Sequence, residues 1–207
     1  MKNNCKEEFR KKCLKLKKFN RYYYSKKIGK ELLKYSKGYK NILFFIPMKN
    51  EVDIHWVLKV LRRGKKRILV PFMEDLSFKM VKYHLPLKKK RFSILEPLNK
   101  QKSLIKIDLA VVPIVGMDIS FKRIGFGKGM YDRFFDTLGY KPEILFIQLR
   151  PCISKTVVGD KYDVRGDLYI SFNIVKKRRK NVVFNNFSRY DFIRSRGICY
   201  SKKNGCC

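Results

Sequence analysis

Residues 107–113 read Ile-Asp-Leu-Ala-Val-Val-Pro, and this stretch indicates the fold more clearly than any other. An apolar run of this length that ends at a proline predicts a short strand buried on both faces. A glycine-containing loop follows as far as Gly129, residues 130–138 have helical spacing, and a second apolar run covers residues 143–148. Strand, loop, helix and strand in succession are typical of a mainly parallel sheet.

The same alternation extends towards the N-terminus. Residues 41–46, Asn-Ile-Leu-Phe-Phe-Ile, predict another buried strand, which ends at Pro47. The further predicted elements are a helix at 52–61 and strands at 67–70, which stops before Pro71, and at 78–83. We therefore expect an α/β protein with helices on both faces of the sheet, which is a three-layer α/β/α sandwich.

The composition is that of a folded but very basic chain. Its 207 residues include 50 Lys and Arg against 17 Asp and Glu, so the formal net charge is +33. Because 45% of the residues are hydrophobic, a packed core is favoured over disorder. The length predicts one domain, which we place at residues 1–171 with a basic helical segment at 1–40. Residues 172–207 show little periodicity and are interpreted as a basic tail.

Several protein classes are disfavoured. The apolar runs are far shorter than the ~20 residues of a membrane-spanning helix, and no apolar segment follows the basic N-terminus as in a secretory signal. Two histidines, His55 and His84, are too few for a His-rich zinc site. The cysteines show no paired spacing and are interpreted as free thiols of a cytoplasmic protein. They are Cys5, Cys13, Cys152, Cys199, Cys206 and Cys207.

The segment 123–133, Arg-Ile-Gly-Phe-Gly-Lys-Gly-Met-Tyr-Asp-Arg, carries the chemistry. Its alternating glycines allow close approach of the backbone to a ligand, and Lys128 and the following helix start add positive charge. These residue types suit a phosphate group. The spacing is neither that of Walker A nor the dinucleotide fingerprint, because Met130 occupies the third glycine position of the latter. A tight structural turn is therefore an equal alternative on the residues alone.

In this segment and around it the sequence resembles the 5-formyltetrahydrofolate cyclo-ligase family, over about residues 5–171. The matching motifs outside the loop are Lys6 and Arg10, 47–51 (Pro-Met-Lys-Asn-Glu), 94–97 (Ile-Leu-Glu-Pro), 108–113, 116–118 (Gly-Met-Asp), Gln148 and 162–167 (Tyr-Asp-Val-Arg-Gly-Asp). Three positions depart from the family's pattern. Met130 replaces a tyrosine, Tyr162 replaces a histidine, and Phe121 and Lys122 stand where a glycine is usual.

The resemblance implies a three-layer sandwich of the NagB/RpiA/CoA transferase-like fold and a cytoplasmic enzyme, expected to be a monomer. The implied reaction uses ATP and Mg²⁺ to convert 5-formyltetrahydrofolate, which can be polyglutamylated, into 5,10-methenyltetrahydrofolate with release of ADP and phosphate. The formyl oxygen takes the γ-phosphoryl group, a folate nitrogen closes the ring, and phosphate leaves. Such a reaction needs positioning and charge neutralisation but no protein nucleophile.

The resemblance also implies the role of each site residue. Lys6 and Arg10 would contact ATP, Glu51 and Ile46 would bind the folate, and Asp132 and Asp163 would hold magnesium. Arg123 and Lys128 would act on the transferred group. The residues implied to wrap the phosphates are Arg123, Ile124, Gly125, Phe126, Gly127, Lys128, Gly129, Met130 and Tyr131. Of these, Phe126, Gly127, Lys128, Gly129 and Met130 would also line the place where folate meets ATP.

Two other functions follow from the charge alone. The main alternative is a basic nucleic-acid-binding protein without catalytic activity, since Tyr22-Tyr-Tyr24 is interleaved with lysine runs. A basic scaffold held on anionic membranes is the other. The loop motif favours the enzyme, with no obligatory nucleic acid partner.

Overall fold

A computed structural model of the protein describes residues 2–16, 20–74, 77–89, 95–98 and 101–178. The helices in these segments are α1 (Lys2–Lys15), α2 (Arg21–Ser36), α3 (His55–Arg63) and α4 (Met130–Asp136). The strands are β1 (Asn41–Leu43), β2 (Arg67–Glu74), β3 (Ser77–Lys82), β4 (Leu87–Lys89), β5 (Leu95–Pro97), β6 (Leu109–Pro113), β7 (Gly116–Met117), β8 (Arg123–Ile124), β9 (Glu143–Ile147), β10 (Leu168–Ser171) and β11 (Ile174–Lys177).

A seven-stranded sheet in the order β11-β10-β9-β6-β1-β2-β3 forms the centre of the fold. The five inner strands pair in parallel, and the two outer strands, β3 and β11, pair antiparallel to their neighbours. The mainly parallel sheet predicted from the sequence is thereby confirmed. Two small ribbons, β4–β5 and β7–β8, lie outside it.

Alternate residues of β6 show why its apolar run is unbroken. Leu109 and Val111 point into the core beneath α2 and α3, while Ala110 and Val112 point into the core beneath α4. Since both faces of the sheet are covered, neither side of the strand can carry polar residues. The three-layer α/β/α arrangement is confirmed.

The strand β2 is longer than predicted, because it continues through Pro71. The parallel pairing with β1 stops at Leu69. Beyond this residue, β2 pairs only with β3. The N–H that proline lacks is therefore not needed by β1, and Pro71 lies opposite Met80 of β3.

The predicted tail begins too early. Residues 174–177 form β11, which pairs with β10 along its whole length, and Asn173 turns the chain between them with a φ of 59°. Asparagine tolerates this left-handed conformation better than most residues do. The rest of the predicted tail, residues 179–207, lies outside the described residues.

The N-terminal segment forms two helices, as its spacing predicted, and the first is covalently attached to the domain. Phe9 and Cys13 of α1 pack against the β7–β8 ribbon, and Cys13 forms a disulfide with Cys152, with a Cα–Cα distance of 5.7 Å. The prediction of free thiols is wrong for these two cysteines. No helix in the described part of the chain is long and apolar enough to cross a membrane.

Candidate active site

The candidate site lies where three parallel strands end. The loops that follow β1, β6 and β9 carry Glu51, the glycine loop (residues 123–131) and Asp163, respectively. Parallel neighbours end at one edge of the sheet, so residues that are distant in sequence meet there. The helix α1 lies over this carboxyl edge and adds Lys6 and Arg10. The structure thus brings together at this edge Glu51, Lys6, Arg10, the glycine loop and Asp163.

The glycine loop starts with the buried strand β8 and is exposed to solvent at residues 126–128. Gly127 has a φ of 101° and Gly129 a φ of 58°, conformations that side chains with a Cβ disfavour. Gly129 is also the N-cap of α4. Between them Lys128 is exposed, and its carbonyl accepts a hydrogen bond of 2.5 Å from Arg133 Nη2. The backbone is thus fixed while the Lys128 side chain faces solvent.

Two of the predicted site residues form an ion pair with each other. Arg123 Nη2 lies 2.5 Å from Asp132 Oδ2, and their side chains are only 7% and 14% exposed. Asp132 Oδ1 accepts the backbone N–H of Val164 at 3.0 Å, which joins the glycine loop to the loop after β9. The Arg123 guanidinium also lies 5.5 Å from the centre of the Tyr131 ring. Arg123 is therefore held in place on two sides.

The helix α1 contributes two cations to this edge. Lys6 Nζ lies 2.5 Å from Asp163 Oδ2 and 2.8 Å from Asp160 Oδ2. Burial alone lowers the pKa of Lys6, but its hydrogen bonds to the two carboxylates and their charges outweigh burial and raise it. Arg10 Nε donates to the carbonyl of Gly125 at 2.8 Å. Lys6 thus remains charged, and Arg10 attaches α1 to the glycine loop.

The two side chains predicted to hold magnesium, Asp132 and Asp163, are carboxylates, which are ligands that this ion prefers. Mg²⁺ prefers one or two carboxylates together with phosphate oxygens, and Asp132 is hydrogen-bonded to Val164, the residue after Asp163. Among the described residues, no group of three or more His, Cys, Asp or Glu side chains could hold a metal ion on its own. The donor set therefore fits a magnesium ion that arrives with phosphate, in competition with Arg123 and Lys6.

A small cavity lies beneath α1 at the carboxyl edge. Its volume is about 40 Å³, and Glu51, Phe126 and Cys13 are among the residues that line it. This is room for a few water molecules. Ile46 is not in its lining but in an apolar cluster with Val70 and other residues of the β2–β3 hairpin. The structure thus places Glu51 in the lining of this cavity and Ile46 in the apolar cluster of the β2–β3 hairpin.

Glu51 is buried, and its surroundings bear on Tyr131. Only 8% of Glu51 is exposed, and its Oε2 accepts the Met48 N–H at 2.9 Å. Burial raises the pKa of Tyr131, and the negative charge of Glu51 raises it further, although Arg123 opposes this. The Tyr131 hydroxyl therefore keeps its proton and can act as a donor near Glu51.

A larger cleft opens on the other side of Asp132. It measures about 500 Å³, and Asp132, Tyr162 and Arg165 form part of its wall. Pockets for small-molecule ligands have volumes of roughly 300–1,000 Å³. The cleft is therefore large enough for a small-molecule ligand, and its wall extends from α4 to the segment before β9.

Two residues that support the site were missed in the sequence. Asp160 shares Lys6 with Asp163, and its sequence position three residues before Asp163 was the available signal. Asp118 is fully buried and accepts hydrogen bonds from Ser120, Lys122, Val158 and Gly159. It thereby joins the loop after β7 to the loop that carries Asp160 and Asp163. Gly-Met-Asp at 116–118 was noted in the sequence, but without this role.

Fold and site together define an α/β protein with a basic, glycine-rich loop at the carboxyl edge of a mainly parallel sheet. The model of the 5-formyltetrahydrofolate cyclo-ligase family matches residues 2–151. The chain belongs to this family and is an enzyme of the cyclo-ligase class. The resemblance read from the sequence is confirmed.

Solved structures agree with this fold. A 5,10-methenyltetrahydrofolate synthetase from Aquifex aeolicus, solved by NMR, is 23% identical, with a TM-score of 0.71 over 91% of this chain and 98% of that one. A 5,10-methenyltetrahydrofolate synthetase from Mycoplasma pneumoniae is also 23% identical, with a TM-score of 0.59 over 82% of this chain and 97% of that one. The comparison with curated proteins gives no significant match.

Proposed function

We propose that this protein converts 5-formyltetrahydrofolate into 5,10-methenyltetrahydrofolate and consumes ATP in a magnesium-dependent reaction that releases ADP and phosphate. The formyl oxygen attacks the γ-phosphorus, and the bond from that phosphorus to the ADP oxygen breaks. The neighbouring folate nitrogen then attacks the formyl carbon and releases its proton, the ring closes, and the former formyl oxygen leaves with the phosphate. No group of the protein is covalently modified at any step.

The glycine loop is the observation that carries the proposal. Lys128 is exposed between Gly127 and Gly129, both at positive φ, at the edge where Lys6 and Arg10 also arrive. Backbone N–H groups and an ammonium aimed at one place stabilise the charge of a phosphoryl group in transfer. Positioning and charge neutralisation are what this reaction requires of a protein.

Arg123 and Arg10 would act on the phosphates from opposite sides of the loop. Arg123 is fixed by Asp132 and Tyr131, so its guanidinium needs little further ordering to meet an anion. Arg10 already touches the loop at the Gly125 carbonyl. When bound, magnesium held by Asp132 and Asp163 would offset negative charge on the phosphates.

Glu51 would hold the pterin ring, whose N–H groups match a carboxylate acceptor. The side chain is buried at the base of the cavity that Phe126 helps to close. Because this cavity is far smaller than a pterin, folate binding requires Phe126 or the adjoining end of α1 to move outward. The polyglutamate part of the substrate is an anion and would meet a basic surface.

The test is the appearance of the methenyl chromophore when purified protein is mixed with 5-formyltetrahydrofolate, MgCl₂ and ATP. We expect absorbance to rise with enzyme concentration and no rise without ATP or in excess chelator. ADP should form in a one-to-one ratio to the methenyl product. Folded protein that yields no chromophore at high enzyme concentration refutes the proposed function.

Lys128→Ala tests the role of the loop. Loss of one charged group aimed at the transition state costs about 10²–10³ in kcat. Because Lys128 is exposed, the free energy of unfolding should change by less than about 0.5 kcal/mol. Lys102→Ala, also at an exposed lysine but outside the loop and both cavities, is the matched control and should keep full activity. An active Lys128→Ala protein would remove this residue from the mechanism.

A further inference from the structure

The outer side of α2 and α3 is basic, and α2 begins beside the candidate site, where Arg21 donates to the backbone carbonyl of Glu51 at 2.8 Å. Both helices pack on the same face of the central sheet, through Ile28 and Leu32 of α2 and Val57 of α3. In these two fully described helices every exposed charged side chain is basic, and the single acid, Glu31, is half-buried. The exposed basic residues, which we call the basic face, are Lys26, Lys27, Lys30, Lys34, Lys59, Arg62 and Arg63.

The lysines of α2 are aligned with exposed tyrosines. Tyr23, Lys27, Lys30 and Lys34 are separated by four, three and four residues, so they follow one side of the helix. Tyr22, the residue before Tyr23, is 77% exposed, and Tyr23 is 44% exposed. The exposure of the large Tyr22 side chain beside the lysine row is not explained by packing.

Phe172, from the turn between β10 and β11, extends the aromatic surface. Its ring stacks on Tyr24 with the centroids 4.1 Å apart and lies 5.8 Å from Tyr23. Lys27 Nζ lies 5.0 Å from the Tyr23 ring and 5.4 Å from the Phe172 ring. The Lys27 ammonium thus lies within cation–π distance of both rings.

We infer that the basic face binds single-stranded nucleic acid, with its phosphates on the lysine row of α2 and unpaired bases on the rings of Tyr22 and Tyr23. Cationic grooves with aromatic stacking platforms are how proteins bind single strands without sequence preference. Duplexes bury their base faces and cannot use the tyrosines. The inference does not depend on the proposed catalysis.

An anionic membrane matches the surface less well than a nucleic acid does. Helices that lie on bilayers insert an apolar face, whereas the apolar face of α2 is buried in the core at Ile28 and Leu32. The side that remains exposed carries lysines, tyrosine rings and no row of aliphatic residues. Its chemistry therefore favours stacking and phosphate contacts over insertion.

The experiment measures fluorescence anisotropy of a labelled oligouridylate of about 20 nucleotides with the full chain at ~150 mM KCl. We expect a Kd of about 1–100 μM and a linear fall of log K with log salt. The triple change Lys26→Glu, Lys27→Glu, Lys30→Glu should weaken binding at least about ten-fold. It should also lower the salt slope by about 2, since each lost phosphate contact contributes about 0.7 on a single strand.

A second triple, Lys82→Glu, Lys88→Glu, Lys102→Glu, is the matched control. These exposed lysines lie near the β3 edge of the sheet, at the opposite end from β10, and the charge change is the same. The control should bind within about two-fold of the wild type, because its substitutions lie outside the basic face. Non-specific attraction alone would weaken binding equally in both triples. Equal weakening in the two triples overturns the inference.

The stacking part is tested by Tyr22→Ala, with Tyr162→Ala as control. Tyr162 is also strongly exposed, at 75%, and also lies beside a lysine, Lys161, at 5.0 Å. Loss of one stacked base costs about five- to a hundred-fold in affinity, and Tyr22→Phe should restore it. Three results would each contradict the inference. They are unchanged RNA affinity in Tyr22→Ala, no RNA binding at ~150 mM KCl, and binding to phosphatidylserine vesicles that depends more strongly on these residues than RNA binding does.

Discussion

The carboxyl edge and the basic face use the same residue types in opposite ways. At the carboxyl edge, Lys6, Arg10 and Arg123 are each held by a carboxylate or a carbonyl within 2.8 Å. On the basic face, Lys27 and its neighbours project into solvent beside tyrosine rings. A cation that is hydrogen-bonded to a carboxylate or carbonyl has a fixed orientation, whereas an exposed row of cations attracts any polyanion.

This difference shows that net charge by itself says little about function. The +33 of the whole chain includes both kinds of cation, and only their partners distinguish them. Chemistry on a phosphoryl group requires fixed charges, because reorganisation during the reaction is costly. Binding of a flexible strand tolerates mobile charges. The comparison therefore predicts that single substitutions are costly at the carboxyl edge and mild on the basic face.

The largest effect is expected for Asp132→Ala. It leaves Arg123 buried without its carboxylate, which typically costs about 3–5 kcal/mol of stability. Cyclo-ligase activity should be lost as well. Lys30→Ala on the basic face should change stability by less than about 0.5 kcal/mol. Urea unfolding of the wild type and the two variants measures this contrast. Similar losses of unfolding free energy in both variants would contradict it.

The double change Arg123→Met, Asp132→Leu separates structure from chemistry at the same place. Replacing both members of a buried ion pair by apolar residues is often neutral for stability. We expect the free energy of unfolding to return to near the wild-type value while the chromophore assay remains negative. Recovery of activity in this variant is the result that would exclude Arg123 and Asp132 from the reaction.

The next effect is that of the disulfide that attaches α1, the helix that carries Lys6 and Arg10. Cys13→Ser, Cys152→Ser should lower the free energy of unfolding by about 2–4 kcal/mol, since the bond closes a loop of 139 residues. A dithiol should have the same effect on the wild type and none on the variant. Cys5→Ser, on the same helix, is the control. Equal stability of oxidised and reduced protein would show that α1 stays docked without the bond.

The smallest effect is the pH dependence that comes from Lys6. Its pKa is raised above the ordinary value of 10.5 in the folded protein, so the folded state holds this proton more tightly than the unfolded state does. The resulting stabilisation is complete below about pH 10 and is lost as the pH rises through the folded pKa. Lys6→Met should be less sensitive than wild type between pH 9 and 11.5 in urea unfolding, whereas Lys30→Met should follow the wild type.

Much of the fold could be predicted because its signals are local. A segment with helical spacing separates the apolar runs at β6 and β9. A run that is apolar on both faces is typical of an inner strand of a covered sheet. The end of β2 and the existence of β11 could not be predicted in this way. Pro71 is tolerated because β1 has already ended, and β11 forms because β10 offers it an edge. Both depend on neighbours that sequence order does not reveal.

The site was predictable to the extent that its motif is contiguous. The glycine loop, from Arg123 to Tyr131, could be read as an anion-binding segment, and the resemblance to the family added Lys6, Arg10 and Glu51. The position of Ile46 in an apolar cluster away from the cavity could not be read. A residue after a strand can turn either way, and its direction depends on the packing of the hairpin beside it.

The sequence by itself determined the parallel α/β architecture, the glycine loop and the family, because periodicity and motif spacing are properties of the chain. The tertiary structure alone decided which charges meet. Lys6 and Asp163 are 157 positions apart, Cys13 and Cys152 are 139 apart, and Phe172 stacks on Tyr24 from the opposite end of the domain's sequence. These contacts form because loops after different strands and the helix α1 converge on one edge, and convergence in space is fixed by strand order rather than by spacing along the chain.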